Sequence, residues 1–569
     1  MKRILFQVVL IISLFIITSY SQTAKSQLSK ITTNDNYEFI SVNEIYMWVS
    51  NNGDGSHSPL TDGNGFYWPG GINATKSSIF EDGLVWGGIV NGQIRVNGNT
   101  HRQGLQAGKI LPNGSPDDPS LPKYRVYKIL KGWENLPPGP IRDEYELDYN
   151  EWPVEDGAPW VDVNGDGVYT PGVDKPKYVG DETLWYVAND MDPARSTFTY
   201  GSLPIGLEFQ TTIWAFDSTN FLGDVVFKKY KIINKSDTAI TDMYISYWTD
   251  VDLGDANDDY VGFDTTLQLG FQYNSDNADG DGTGSTYGTP PPAVGHMFVQ
   301  FPVVPSSQSD SAFFNGTWYR GLRSLRMNAT GMNMKNMSQY PNDATQGNYS
   351  GTLQWYNLFQ GLHNSGFELI DPTTNNPTRF PLSGDPINQT GWYEGEGWPG
   401  GPAAGDRRFH IPTGSFNMAP GDTQEVVIAI FMALGTDNFN SVAVLKQKAQ
   451  QIQNFYGAFV PNIVGVDDDI AASPDEFMLM QNYPNPFNPT TKISFTIPSV
   501  TLRQAQSDIS VALKVYDVLG NEVATLVNEE RPAGSYEVEF DASGLSSGVY
   551  FYKLQAGQFV QTRKMLMIK

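Results

Sequence analysis

Cysteine is absent from all 569 residues, and that one absence removes several kinds of chemistry. Disulfides, thiolate-bound zinc, iron–sulfur clusters, thiol nucleophiles and a lipidated N-terminal cysteine are all excluded. An exported chain without disulfides needs another source of rigidity, which a large core or bound calcium would supply. Histidine is nearly as scarce, limited to His57, His101, His296, His363 and His410. No two of them have the H-E-x-x-H spacing of a zinc protease. No G-x-S-x-G elbow stands near a strand-to-helix turn, there is no P-loop, and no G-x-G-x-x-G follows a strand. Charged residues make up only 17%, and positive charge is the smaller part: 37 Lys and Arg against 62 Asp and Glu, a net charge of −25. A field of that sign repels phosphate backbones, so nucleic acid is not an expected partner. It suits divalent cations, although a solvated acidic surface accounts for the same excess.

The composition that remains is that of a folded chain: 40% hydrophobic, 13% aromatic, with 56 glycines and 36 prolines. Helical periodicity is rare, which points to many short strands joined by irregular loops. The expected fold class is mainly β: a multidomain β-sandwich protein with few helices. At about 100–200 residues per domain the length fits three or four domains.

The N-terminus reads as an export signal. Lys2 and Arg3 precede an apolar run, Ile4 to Ile17, broken only by Gln7 and Ser13. Ser19 and Ser21 follow at the small-x-small spacing that signal peptidase accepts, with cleavage expected after Ser21. An uncleaved anchor is the competing reading, but the run is short for a span of about 20 residues. No later stretch is long and apolar enough to span a bilayer as a helix, so no transmembrane span is expected in the mature chain.

The expected organisation is a signal peptide (1–21), a linker (22–35) and a Gly/Pro/Trp-rich β region (36–203) with a calcium-type loop. A β-sandwich region with a terminal helix (204–457), an acidic linker (458–476) and an Ig-like C-terminal domain (477–569) follow. In the sandwich region Val225–Ile233 and Asp242–Trp248 are expected to pair as a hairpin. Glu425–Leu434 is a buried strand after a Pro420-Gly421-Asp422 turn. Ser441–Tyr456 is a helix with Val442, Leu445, Ala449, Ile452 and Tyr456 on one side.

Acidic clusters carry the clearest chemistry. Asp162, Asn164 and Asp166 recur every second residue before Gly167, a spacing that wraps one calcium ion with oxygens. Val173 stands where an EF-hand has its closing glutamate, so Asp174 is the closing candidate and Val168 a main-chain ligand. An Asx-turn without an ion is the other reading. A second cluster, Asp250, Asp252, Asp255, Asn257 and Asp259, follows a strand and would converge at a sheet end; carboxylates so close repel one another unless a cation intervenes. A third, Asp276, Asp279 and Asp281, reads as a solvated loop. For catalysis two carboxylates can come from anywhere in the fold, and the best candidates are Glu394 and Glu396, flanked by Trp392, Tyr393 and Trp398. Aromatics beside acids can stack on sugar rings in a glycoside hydrolase, and equally make a surface loop with packed tryptophans.

From residue 477 the strand signals are dense. Lys492–Ile497, Val511–Tyr516, Tyr536–Phe540, Val549–Leu554 and Thr562–Ile568 alternate or close a sheet, which by count and spacing is an immunoglobulin-like sandwich. The segment Gln481-Asn482-Tyr483-Pro484-Asn485-Pro486-Phe487-Asn488-Pro489 resembles the opening of the C-terminal sorting domain of type IX secretion cargo proteins. The resemblance continues through Val515-Tyr516-Asp517-Val518-Leu519-Gly520, Leu545-Ser546-Ser547-Gly548-Val549-Tyr550 and the closing Lys564-Met565-Leu566-Met567-Ile568-Lys569. Thr501–Asp508 departs from it as a polar insertion. Such domains are also similar to the Ig-like domain of flagellar hook-capping proteins. The resemblance implies a Bacteroidota-like or Ignavibacteria-like cell, contact with signal peptidase and the type IX machinery, and a secreted or surface location reached through the periplasm. It further implies removal of the tail, with the cargo released or fixed to surface lipopolysaccharide. Trp152–Asp174, Asp190-Met191-Asp192 and Trp248–Asn274 resemble a recurrent pattern in large secreted cargo proteins to which no activity is attached. The function expected is that of a calcium-stabilised surface or extracellular β-protein in adhesion, matrix or polysaccharide binding. The alternative is a secreted polysaccharide-degrading enzyme.

Overall fold

The computed structural model describes residues 36–101, 103–334 and 351–463, and most of 478–568: 478–479, 482, 485, 487–497, 509–518, 520–531, 534–557 and 559–568. The signal peptide, the 22–35 linker, residues 464–476 of the acidic linker and the 501–508 insertion lie outside them. The chain forms two compact units, Met1–Pro461 and Asn462–Lys569.

The first unit is mostly strand. In chain order its long strands are β1 (Glu81–Val90), β2 (Gln93–Gly98), β3 (Tyr127–Leu130), β4 (Glu182–Asn189), β5 (Leu207–Ala215), β6 (Val225–Asn234) and β7 (Ile240–Val251). They continue with β8 (Asp259–Asp264), β9 (Leu269–Asn274), β10 (Ala293–Gln300), β11 (Gly331–Met334), β12 (Arg407–Met418) and β13 (Thr423–Ala433). Among the described residues four α-helices accompany them: α1 (Pro140–Asn150), α2 (Pro193–Tyr200), α3 (Gly351–Phe359) and α4 (Asn438–Ile463). One large antiparallel sheet runs β3-β4-β5-β6-β13-β10-β9-β8; a second runs β11-β12-β7-β1-β2. A smaller sheet, built from Tyr37–Ile40, Tyr46–Ser50, Phe66–Tyr67 and Ser77–Ile79, completes the N-terminal side.

The two large sheets pack face to face. Leu84, Trp86, Ile245, Tyr247, Phe409 and Ile411 of one share a buried cluster with Tyr186, Phe209, Ile213, Val226, Tyr230 and Ile430 of the other. Each outer face has its own cover. Val442, Leu445, Ala449, Ile452 and Tyr456 of α4 lie over Phe227, Phe271, Val427 and Phe431. Tyr200 of α2 and Trp355 and Phe359 of α3 lie over Val85, Val96 and Trp248. Side chains that point outward from both sheets are therefore also buried, and strands such as β13 read as continuous apolar runs rather than alternating ones.

Two sequence expectations meet a different arrangement. β6 and β7 are not a hairpin: β6 pairs with β5 and β13, while β7 pairs with β12 and β1 in the other sheet. The Asn234–Ser236 turn, whose Asn234 Nδ2 donates to Thr238 O at 2.9 Å and Met418 O at 3.2 Å, carries the chain from one layer to the other. The expected 203/204 boundary falls between β4 and β5, hydrogen-bonded neighbours in one sheet.

The second unit is a small sandwich. Its strands are β14 (Thr490–Ile497), β15 (Ile509–Tyr516), β16 (Glu522–Arg531), β17 (Gly534–Asp541), β18 (Gly548–Ala556) and β19 (Phe559–Met567). Met478–Leu479, β14 and β17 form one sheet; β16-β15-β18-β19 forms the other. Ile493, Phe495 and Phe540 of the first meet Leu513, Val515, Tyr552 and Met565 of the second.

Candidate functional site

The Asp162 loop is closed by a two-residue ladder in which Trp160 and Val161 pair with Pro176 and Lys175. Asp162 accepts from Gly165 N at 2.7 Å and Gly167 N at 2.8 Å, Asn164 Oδ1 from Asp166 N at 3.0 Å, and Asp166 Oδ1 from Val168 N at 2.7 Å. Gly165 and Gly167, both at φ +75°, let the backbone curl around these oxygens. Asp174 is buried and ties the two ends together by accepting from Val163 N at 2.9 Å and Thr170 N at 2.6 Å. The five residues expected to act together, Val168 included, thus share one tight loop. Each carboxylate oxygen has two lone pairs, so these bonds leave acceptor capacity on the exposed Asp162 and Asp166.

Gly167, Val168 and Tyr169 form one wall of an open groove of about 780 Å³. Trp152, Trp160 and Tyr127 also line it, as do Lys123, Arg125, Glu151 and Glu155. Trp160 meets Tyr169 edge to face at 5.4 Å. Trp152, anchored by donation from its Nε1 to Pro159 O at 2.8 Å, packs edge-on against Tyr127 and tilted against Trp185. Arg125 lies 4.1 Å above the Tyr127 ring and is held by Asp148 at 2.8 Å and Glu151 at 3.0 Å. Fixed aromatic faces beside oriented charged donors and acceptors are the means by which proteins grip polyhydroxylated ligands. Apart from Val168, none of these groove residues was a site candidate in the sequence, because their spacing carries no local signal; only the family-like stretch Trp152–Asp174 marked the neighbourhood.

The second acidic cluster is divided by the structure. Asp259 is fully buried and takes Gln272 Nε2 at 2.7 Å and Leu253 N at 3.2 Å. Asp255 caps a short turn by accepting from Asn257 N at 3.1 Å, and exposed Asn257 donates back to it at 2.7 Å. Asp250 belongs elsewhere, beside Arg408 at 3.1 Å and His101 at 3.2 Å. The carboxylates that do converge are Asp250, Asp252 and Asp406, one oxygen of each lying within 4.8 Å of the others. Burial pushes Asp250 well above the usual carboxylate range, with Arg408 opposing. Glu81 is raised likewise by burial, then by Asp54. Asp406 escaped sequence reasoning because it is remote in the chain; the mixed-charge triplet Asp406-Arg407-Arg408 opening a strand was its one signal. In the third cluster Asp276 and Asp281 cap exposed turns, whereas Asp279 is buried and accepts from Asp255 N and Tyr287 N.

Glu394 faces the interior. Arg407 Nε and Nη2 reach it at 2.9 Å and Val261 N donates to it at 2.6 Å. Burial raises its pKa to about 7, against the pull of Arg407. Glu396 is exposed, and Trp392 packs against Trp398 at 5.3 Å, so the structure does not bring the two acids together over a sugar-sized space.

Residues 481–569 match the family model described as the secretion system C-terminal sorting domain. The chain is accordingly a type IX secretion cargo protein with a cell-surface or extracellular location. No helix among the described residues is long and apolar enough to cross a membrane. No curated protein matches the chain. Among solved structures a polysaccharide lyase is similar at 9% identity and a TM-score of 0.18, over 63% of this chain and 34% of that one. This chain thus spans about a third of the lyase's length, and a likeness so slight carries no argument.

Proposed function

We propose that this type IX cargo protein binds polysaccharide at or near the cell surface, with the groove beside the Asp162 loop as its binding face and calcium held in that loop. The observation that supports the reading is the adjacency of the two: residues 167–169 belong to the loop and also line the groove. A cation in the loop would stiffen that wall before ligand arrives and so reduce the ordering cost of binding. Trp160 and Tyr169 offer apolar ring faces to sugar C–H groups, and Arg125 and Glu151 offer donors and acceptors to hydroxyls. Tail removal and attachment to surface lipopolysaccharide, which the sorting family implies, would hold such a groove at the surface for adhesion or matrix assembly. A hydrolase built on Glu394 and Glu396 gains no support, because such enzymes need both carboxyls facing the scissile bond and Glu394 is buried against Arg407.

The test is affinity electrophoresis of the full chain through gels containing neutral, acidic and amino-sugar polysaccharides, repeated for Trp160→Ala/Tyr169→Ala. Retardation by at least one polymer, weakened tenfold or more in the variant at an unchanged melting temperature, is the expected result. Free migration in every gel, or equal retardation of the variant, would remove the groove from the account.

A further inference from the structure

Among the described residues that line the groove beside the Asp162 loop, the cations are Lys123 and Arg125, and both are already paired. Arg125 donates from Nε to Asp148 Oδ1 at 3.0 Å and from Nη2 to Glu151 Oε2 at 3.0 Å, with its guanidinium over the Tyr127 ring. Lys123 Nζ lies 3.8 Å from Asp117, 3.9 Å from Glu155 and 3.5 Å from Asp156. Asp156 has Lys109 as a second partner. This network sets five carboxylates against three cations. Its acids are also the groups that reach solvent: the side chains of Glu155 and Glu151 are 78% and 53% exposed, those of Lys123 and Arg125 only 35% and 21%. The rest of the lining carries no charge, Trp160, Val168, Tyr169 and Pro171 among it. The whole chain carries −25.

We propose that the groove selects neutral polysaccharide and rejects acidic polysaccharide, an inference that rests on the reading of the groove as a polysaccharide-binding face. A uronate or sulfate group entering it meets the exposed Glu151 and Glu155 and finds Lys123 and Arg125 already engaged. To pair with either cation it must displace a carboxylate, which then stands unpaired beside a second anion. Like charges brought together in this way lower affinity and slow encounter. Hydrogen-bonding type acts in the same direction. The carboxylates of Glu151 and Glu155 only accept, so a sugar hydroxyl can donate to them, whereas a uronate or sulfate oxygen has no hydrogen to give. A neutral chain needs only its C–H faces on Trp160 and Tyr169 and its hydroxyls on these acceptors. Calcium in the adjacent loop does not reverse the sign, because Asp162, Asp166 and Asp174 carry three negative charges against its two.

The experiment is biolayer interferometry of the full chain on immobilised neutral polysaccharides, each paired with the same polymer oxidised at C6 to the carboxylate. It is run in about 10 mM and about 100 mM salt, where charges are screened beyond about 30 Å and about 10 Å. At the lower salt the neutral polymer is expected to bind at least tenfold more tightly than its oxidised partner, and the ratio to fall at the higher salt. Glu151→Gln/Glu155→Gln, which changes two exposed side chains, is expected to narrow the ratio by raising affinity for the oxidised polymer. The inference is overturned if the oxidised polymer binds wild type as tightly as its parent or more so, or if neither salt nor the variant changes the ratio. Failure of the groove reading would look different: no polymer of any pair would bind, or Trp160→Ala/Tyr169→Ala would bind both members like wild type, and the inference would fall with it.

Discussion

His296 shows how the sandwich interior differs from an oil-like core. It lies between the sheets with Tyr247 at 5.8 Å and Phe409 at 5.4 Å, near the buried pair Lys228 and Asp82, whose Nζ–Oδ1 distance is 2.6 Å. Burial holds its pKa down at about 3, with Asp82 opposing and Lys228 reinforcing. The folded value is thus below the unfolded one of about 6.5, so its neutral form stabilises the fold above that pH. As pH falls below 6.5 the unfolded chain takes up the proton first, and stability is lost down to pH 3. Between pH 7 and 5 this amounts to about 2 kcal/mol. Urea denaturation of wild type and His296→Leu at both pH values should show the gap between them shift by that amount in favour of the variant. A constant gap would mean that the ring titrates in the folded protein. The difference is read rather than the wild-type curve because raised carboxyls such as Asp250 and Glu81 titrate with the opposite sign. None of this was legible in the sequence, where His296 is one histidine among apolar residues and its burial depends on the facing sheet.

At the scale of single elements, the most local readings agree with the structure. The α4 face reads correctly because helical spacing is a property of the chain itself: Val442, Leu445, Ala449 and Ile452 are all fully buried. The Asp162 loop is equally local, since its glycines and oxygen side chains act on their own backbone. A calcium-loaded loop predicts a melting temperature that rises by several degrees with calcium over chelator, does not rise with magnesium, and rises less in Asp162→Ala/Asp166→Ala. Identical rises in wild type and variant would leave the loop an Asx-turn without an ion. The β6–β7 connection is the contrary case. Two strands with a short polar turn satisfy the pattern of a hairpin and of a crossing between layers equally well. Only the partners of each strand, β5 and β13 on one side and β12 and β1 on the other, distinguish them.

At the scale of the whole molecule, the sorting tail and the cargo reside in separate units, the tail match at 481–569 lying within the second of them. Deleting 481–569 should leave the remaining chain in the periplasm of a cell that carries the type IX machinery, as read by fractionation and immunoblotting. Arrival of the deleted protein at the surface would show that the address lies elsewhere. The cargo unit joins two sheets whose strands alternate between early and late parts of the chain, as in the adjacency of β6 with β13 and of β7 with β12. The sequence by itself determined the absence of thiol chemistry, the β-rich class, the α4 face, the oxygen-rich loop and the sorting tail. Each of those depends on composition or on residues near one another in the chain. Only the tertiary structure decided that Glu394 faces Arg407 rather than a sugar, and that Trp160 and Tyr169 share a groove with Arg125. It alone brought Asp406 to Asp250 and Asp252. Those contacts join strands and loops far apart in sequence, and sheet register, which no short stretch of chain encodes, is what sets them.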